Sequence, residues 1–289
     1  MKKLFVSVNS LDTVKKLDRN LVEGVIVNSQ GFSSGLSAHS IEKITELAHH
    51  SDFKVIVRLD CLYSEDIIGN LRVYLRNLEE ADVYGVLCTD LAVKVLIEEE
   101  KLNLKVIYAP ETLLTNCYDV EEMRNEGFDH CVISKDIPLS DVYDILTRVR
   151  DYCWLRIHGP ILLSYSARHY VSSYLERNCQ NELFELQEST RNDRLALIEK
   201  EAGSWLYGTC LESFGEITKL MNSPADALVI DNIYLSDDYT LRSLELYNDV
   251  ISGKLTAEQA IGMLRTFDLN INYNSLSEIK KTVLDKEKK

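Results

Sequence analysis

A chain of 289 residues, 45% hydrophobic and 27% charged, has ordinary globular composition and is long enough to bury a large core, in one barrel-sized domain or two smaller ones. Its formal net charge of −14 argues against a stand-alone nucleic-acid binder, which needs a basic footprint to neutralise phosphates. A local basic strip or a basic partner remains a route to RNA.

Short β-branched runs alternate with amphipathic stretches along the chain. Leu4–Val8 forms the first strand, with a helix over Ser10–Arg19. Gly24–Asn28 is the second, with a helix over Ser40–His50, and Lys54–Leu59 is the third, with a helix over Ser64–Glu80. Gly85–Cys88 is followed by helical Leu91–Glu100, Lys105–Tyr108 by Asp119–Glu126, and Cys131–Ser134 by Pro138–Val149. Regular βα units imply a parallel sheet with helices outside it, and the continuously apolar strands fit burial on both faces. Trp154–Ile157 supplies a seventh strand and Ala227–Ile230 an eighth, followed by a helix over Tyr239–Ser252. Eight units favour an α/β fold of the (βα)8 TIM-like barrel type over a doubly wound sheet.

Between strands seven and eight the rhythm breaks. Phe184–Gln187, Arg194–Glu199 and Trp205–Tyr207 are short strands between polar turns, so 178–208 is a small β-rich insertion, and a helix over Leu211–Met221 returns the chain to the barrel. The barrel then occupies residues 1–252. Residues 253–289 hold a C-terminal helix capped by Thr256 and a charged tail.

The seven cysteines stand singly with no CxxC pair, as expected of reduced cytosolic thiols, and no histidine lies at ligand spacing to support a metal site. The apolar run of MKKLFVSV is too short for a secretory segment, and no run approaches the roughly 18 residues of a membrane span, which points to the cytoplasm. Function in such a barrel belongs at the C-terminal strand ends. Those ends carry Asn28, Arg58, Asp60, Asp90, Glu111, Asn116, Lys135, Asp136, His158, Asp231 and Asn232. They are suited to a small anionic ligand, or simply to pairing with one another. His158-Gly159-Pro160 cannot continue a helix, which places His158 exposed at a turn, where it can serve as a base. His49 and His50 fall at a helix end and offset its dipole. Ser164-Tyr165-Ser166 lacks the GxSxG elbow, and Cys153 and Cys179 lack a nucleophile's flanking signature. GFSSG at Gly31–Gly35 has two glycines and no lysine, which makes it a turn and not a phosphate loop.

HGPILLSYSARHYVSSYL, at His158–Leu175, resembles the signature of the collagenase-like peptidases, family U32. That signature runs His-Gly, a Cys, then Ser-Tyr-Ser-Gly-Arg-Cys and a later Ser. His158, Gly159, Ser164, Tyr165, Ser166, Arg168 and Ser172 fall on it. APETLLTN, with Glu111, Thr112, Thr115 and Asn116, is similar to the family's TN motif. Lys135-Asp136 is similar to its Arg-Glu after strand six, and GTCLESFGEITKLMN to its Gly-Thr…Asp-Leu segment. The departures are specific: Leu162 and His169 stand where the family has cysteines, Ala167 replaces its Gly, and only Cys179 remains of its later Cys-rich stretch. VIDNIY at Val229–Tyr234 replaces its Lys-Ile-Glu-Gly-Arg motif.

The resemblance implies two activities, a peptidase and an RNA hydroxylation that includes prephenate-dependent hydroxylation of the tRNA wobble uridine. It implies an iron–sulfur cluster only in members that retain the cysteines. A cluster needs about four thiolates, so none is expected here, and prephenate is expected only in an assembled system. A short member of this kind is paired with a longer, cysteine-containing relative, through which it would meet tRNA indirectly. His158, Tyr165 and Arg168 become the catalytic candidates. Arg58, Glu111, Asn116, Lys135, His158 and Arg168 become the ligand-binding ones. The alternatives are a peptidase of unassigned mechanism and a non-enzymatic interaction protein with a vestigial site.

Overall fold

In the computed structural model, which describes residues 4–187, 189–190, 194–268 and 270–279, strands and helices alternate from the first residues onward. The elements are β1 (Leu4–Val8), α1 (Leu11–Val14), β2 (Val22–Asn28), α2 (Ile41–His50), β3 (Lys54–Leu59), α3 (Glu65–Glu80), β4 (Gly85–Cys88), α4 (Leu91–Glu100), β5 (Lys105–Tyr108), α5 (Cys117–Asn125), β6 (His130–Val132), α6 (Leu139–Arg148) and β7 (Cys153–Ser166). There follow α7 (Tyr170–Leu175), β8 (Glu182–Gln187), β9 (Arg194–Lys200), β10 (Gly203–Glu212), α8 (Ile217–Met221), β11 (Ala227–Ile230), α9 (Asp237–Ile251), α10 (Ala257–Phe267) and β12 (Tyr273–Ser275). β1 to β7 pair in sequence order, and β11 pairs in parallel with both β1 and β7. That double pairing closes an eight-stranded parallel barrel with the helices outside it, as the sequence rhythm predicts.

Strand alternation sorts the side chains between the two faces. One apolar cluster inside the barrel takes a residue from each strand: Phe5, Ile26, Ile56, Leu87, Ile107, Val132, Trp154 and Val229. Phe5 and Trp154 meet there, ring centroids 4.3 Å apart. Each such buried side chain contributes on the order of 1.5–3 kcal/mol. Two residues further along the same strands lie Ser7, Asn28, Arg58, Ala109, Ser134, Arg156 and Asp231, all buried. The interior therefore changes from apolar to mostly polar, with Arg58, Arg156 and Asp231 charged, within one step of the pleat toward the C-terminal ends.

A second sheet grows out of the first. β7 leaves the barrel at Gly159 and pairs antiparallel with β10, which pairs with β9 and then β8, while β12 lies parallel to β10 on its other side. This sheet packs Ile198, Trp205 and Tyr207 over Cys61 and Ile233 at the barrel mouth. The added strands thus begin with β7's own extension and run to Glu212, wider than the sequence range of 178–208. The helix expected over Leu211–Met221 is correspondingly shorter and starts at Ile217, because Cys210–Glu212 are held as strand by β12. The helix expected over Ser10–Arg19 is a single turn, Leu11–Val14, after which Lys16 N and Leu17 N donate to the Thr13 and Val14 carbonyls in tighter three-residue turns. Thr256 caps α10 as expected, in a capping box with Gln259.

Gly159 marks the point where β7 changes sheets. Its φ is +127°, and a Cβ there would lie 1.9 Å from the Asp231 carbonyl oxygen. Gly159→Ala is expected to cost about 3 kcal/mol or more, from a left-handed backbone and an immovable neighbour. Urea unfolding at neutral pH checks this, and an unchanged midpoint would contradict the close approach.

Candidate functional site at the barrel mouth

Asp231, at the end of β11, sits between two guanidinium groups. Arg58 Nη2 from β3 donates to its Oδ1 at 2.5 Å, and Arg156 Nη2 from β7 lies 3.2 Å from its Oδ2. Arg58 also lies 3.6 Å from Asp60, which accepts from Ser34 N at 2.7 Å and Ser34 Oγ at 2.6 Å. Arg156 reaches outward to Glu111, with Nη1 and Nη2 donating to its two carboxylate oxygens at 3.1 and 2.7 Å. Lys135 Nζ lies 3.9 Å from the same Glu111 and 3.0 Å from Asp136. Arg58 is 1% exposed and Asp231 3%, so these are interior charges that persist only because each faces an opposite one.

The second sheet is what removes them from water. Tyr207 donates to Ser34 Oγ at 3.2 Å, and Lys200 Nζ donates to the Leu36 carbonyl at 3.2 Å. Burial would raise the Asp231 carboxyl, but Arg58 and Arg156 outweigh it and hold it below the usual range. For Asp60 burial prevails over Arg58 and Ser34, and the carboxyl is raised. Burial also lowers the Lys200 ammonium and pushes the Tyr207 phenol well up. Glu111 sits on the loop after β5 with φ +62°, and Thr112 N donates to the Pro110 carbonyl at 2.8 Å across it. This is the strained, positive-φ kind of γ-turn.

Three of the sequence-predicted residues, Arg58, Glu111 and Lys135, therefore converge. Asn116 does not join them: it caps α5, its side chain accepting from Tyr118 N and Asp119 N. Arg168 is exposed in the bend between β7 and α7, and Tyr165 donates to the Ala202 carbonyl at 2.8 Å while its ring packs on Trp205. His158 is the main correction. It is fully buried, not exposed at a turn, with Nε2 2.9 Å from Tyr239 Oη and Nδ1 3.1 Å from Tyr247 Oη. Register between β7 and β11 shifts between Val229 and Ile230, which takes His158 out of the interior alternation and onto α9. Tyr239, Ser243 and Tyr247 meet it from one helical stripe. Burial pushes its imidazole down to about 3, so it is a neutral tie between strand and helix.

Arg156 is the residue missed from the sequence. Its signal was a lone cation inside an otherwise apolar strand, two positions after inward-facing Trp154. A cavity of about 510 Å³ lies elsewhere, between α1 and α2, where the one-turn α1 leaves part of α2 uncovered. Its ion pairs, Lys15 with Asp12 and Arg19 with Asp52, are exposed on the surface, whereas the mouth gathers buried charges from several strands.

The molecule is thus a (βα)8 barrel whose mouth holds an ion network under a β-sheet cover. Residues 21–286 match the model of peptidase family U32, and the chain belongs to that family. It is similar to tRNA hydroxylation protein P2 of Bacillus subtilis (strain 168), 23% identical over 227 residues that make up 74% of this chain and 73% of that protein. It is also similar to tRNA hydroxylation protein P1 of the same organism, 21% identical over 263 residues, 86% of this chain but 62% of P1. Among solved structures, phosphoribosylanthranilate isomerase of Thermotoga maritima overlays with a TM-score of 0.49 at 8% identity, covering 88% of this chain and 100% of that one. A tryptophan synthase α-subunit of Pyrococcus furiosus gives 0.45 at 12%, covering 91% and 100%.

The residues at the family's cysteine positions do not fit an iron–sulfur cluster. Leu162 has no donor atom and packs in the apolar cluster under the second sheet. His169 Nε2 faces the carbonyls of Lys200 and Glu201 at 3.0 Å each, and Cys179 is buried with its thiol toward the Arg177 carbonyl.

Two outcomes follow from this geometry. Asp231→Asn leaves two guanidinium groups facing one another in the interior and is expected to cost about 3–5 kcal/mol, measured by thermal or urea unfolding. The second concerns pH. Between about 6.5 and 3 the unfolded chain binds a proton at His158 that the folded chain refuses. Stability from this residue is therefore intact above that window and falls as pH drops through it, by about 1.4 kcal/mol per pH unit. In His158→Asn the slope of stability against pH between 6 and 4 should flatten by one proton's worth, and an unchanged slope would show that His158 titrates normally in the folded protein.

Proposed function

We propose that this chain is a cluster-less subunit of a tRNA wobble-uridine 5-hydroxylation system. It works with a longer, cysteine-containing relative and meets tRNA through that partner. The observation that carries this reading is its similarity, over most of its length, to two tRNA hydroxylation proteins, combined with Leu162 and His169 at positions where cluster thiolates would be required. The net charge of −14 favours contact with RNA through a partner. Free cysteines suit a cytoplasmic setting, and among the described residues no helix is long and apolar enough to cross a membrane.

In this reading the mouth, with Arg58, Arg156 and Lys135, holds a small organic anion, prephenate in the assembled system. The peptidase alternative loses its histidine candidate, since the His158 imidazole is sealed, neutral and engaged by two phenols. Deleting the gene and analysing tRNA nucleosides tests the proposal. 5-Hydroxyuridine and its derivatives should fall or vanish and return on complementation, whereas unchanged hydroxyuridine would refute it.

A further inference from the structure

Of the four cations buried at the mouth, Arg156 has the most revealing partner. Arg58, Arg156, Lys135 and Lys200 are all at most 8% exposed. Two of the carboxylates facing them, Asp60 and Asp231, come from the ends of strands β3 and β11. The other two, Glu111 and Asp136, come from loops, and their side chains are 19% and 51% exposed. Charge balance in the interior is therefore completed from the rim.

Glu111 fills the guanidinium fork of Arg156 with both oxygens, the arrangement in which arginine binds a free carboxylate. Lys135 stands 3.9 Å from one of those oxygens as a second cation for the same group. The backbone that brings Glu111 there is the strained γ-turn at φ +62°. Strain of this kind collects at clamps and switches, where the surrounding structure holds it in place. Nothing about barrel closure needs Glu111: Arg58 and Arg156 are joined through Asp231 without it.

We propose that Arg156 is the carboxylate-binding residue of the mouth, and that Glu111 is an internal carboxylate that occupies its fork and withdraws when a small carboxylic-acid ligand enters. The ligand's carboxylate replaces that of Glu111 on Arg156 and Lys135, and the γ-turn relaxes as its side chain moves to solvent. Tetrahedral oxyanions fit less well. Asp231 Oδ2 lies 3.2 Å from the same Arg156 Nη2, so a further anionic oxygen would face a fixed carboxylate. This inference rests on the mouth being an anion site and adds what occupies it in the free protein.

The test is calorimetric titration of malonate, and separately of inorganic phosphate, into the full-length protein and its variants, with folding checked by circular dichroism. Glu111→Gln, which removes the competing charge, should bind malonate at least about tenfold more tightly than the wild type. Adding Arg156→Lys, which keeps the charge but loses the fork, should cancel most of that gain. Malonate binding no tighter in a folded Glu111→Gln protein, or a gain that survives Arg156→Lys, would overturn the proposal, and an equal gain for phosphate would overturn the assignment to carboxylates. Should Glu111→Gln not fold, Glu111→Asp, whose shorter reach loosens the plug, carries the same two outcomes. Because the readout is binding alone, it stands or falls separately from the tRNA nucleoside result.

Discussion

Asp231 is held between Arg58 and Arg156, and the C-terminal half of the barrel interior is organised around that triad. A buried guanidinium is tolerable only with an opposite charge in contact, and a buried carboxylate likewise. The three residues come from β3, β7 and β11, which are not all neighbours in the barrel, so their mutual need spans its interior. One pleat step below, the interior is wholly apolar around Phe5 and Trp154. The chain therefore spends its apolar interior on stability at one level and places charge at the next, where a barrel's loops can reach it.

The cover follows from the same constraint. Charges open to water at a barrel mouth are weakly coupled; beside a sheet that packs Trp205, Tyr207 and Ile198 on Cys61 and Ile233 at the mouth, they are buried and couple more strongly. The sheet is rigidly continuous with the barrel because β7 belongs to both. Gly159 permits that continuity, letting the strand pass within contact of the Asp231 backbone. The loop after β2, carrying Ser34 and Leu36, meets the cover from below through Tyr207 and Lys200. Glu111 approaches the inner cations from a partly exposed loop, at a residue of positive φ.

His158 and Gly159 give the family signature its structural meaning. The imidazole links β7 to α9 through Tyr239 and Tyr247, and the glycine carries β7 into the second sheet. Tyr165 and Ser166 lie on that sheet, with Tyr165 bound to Ala202 and Ser166 opposite Ser204. In this chain the matched segment is therefore a joint between barrel and cover. The signature positions where the resemblance leads one to expect cysteines hold Leu162 and His169, whose contacts are apolar packing and backbone carbonyls.

The sequence by itself determined the barrel. Apolar β-branched runs at regular spacing, each followed by an amphipathic stretch, admit few arrangements, and the family signature agreed with them. It also placed Arg58, Glu111 and Lys135 at strand ends. Only the tertiary structure decided which charges met. Arg156 was hidden because a single cation in an apolar strand shows its direction only once the pleat is set by its neighbours. His158 was misplaced because a one-residue slip between β7 and β11, invisible in either strand alone, turned it from the mouth to the helix layer. Burial of the network was equally out of reach, since it depends on a second sheet whose strands lie far from β3 along the chain and become neighbours of its end only when β7 folds over the mouth.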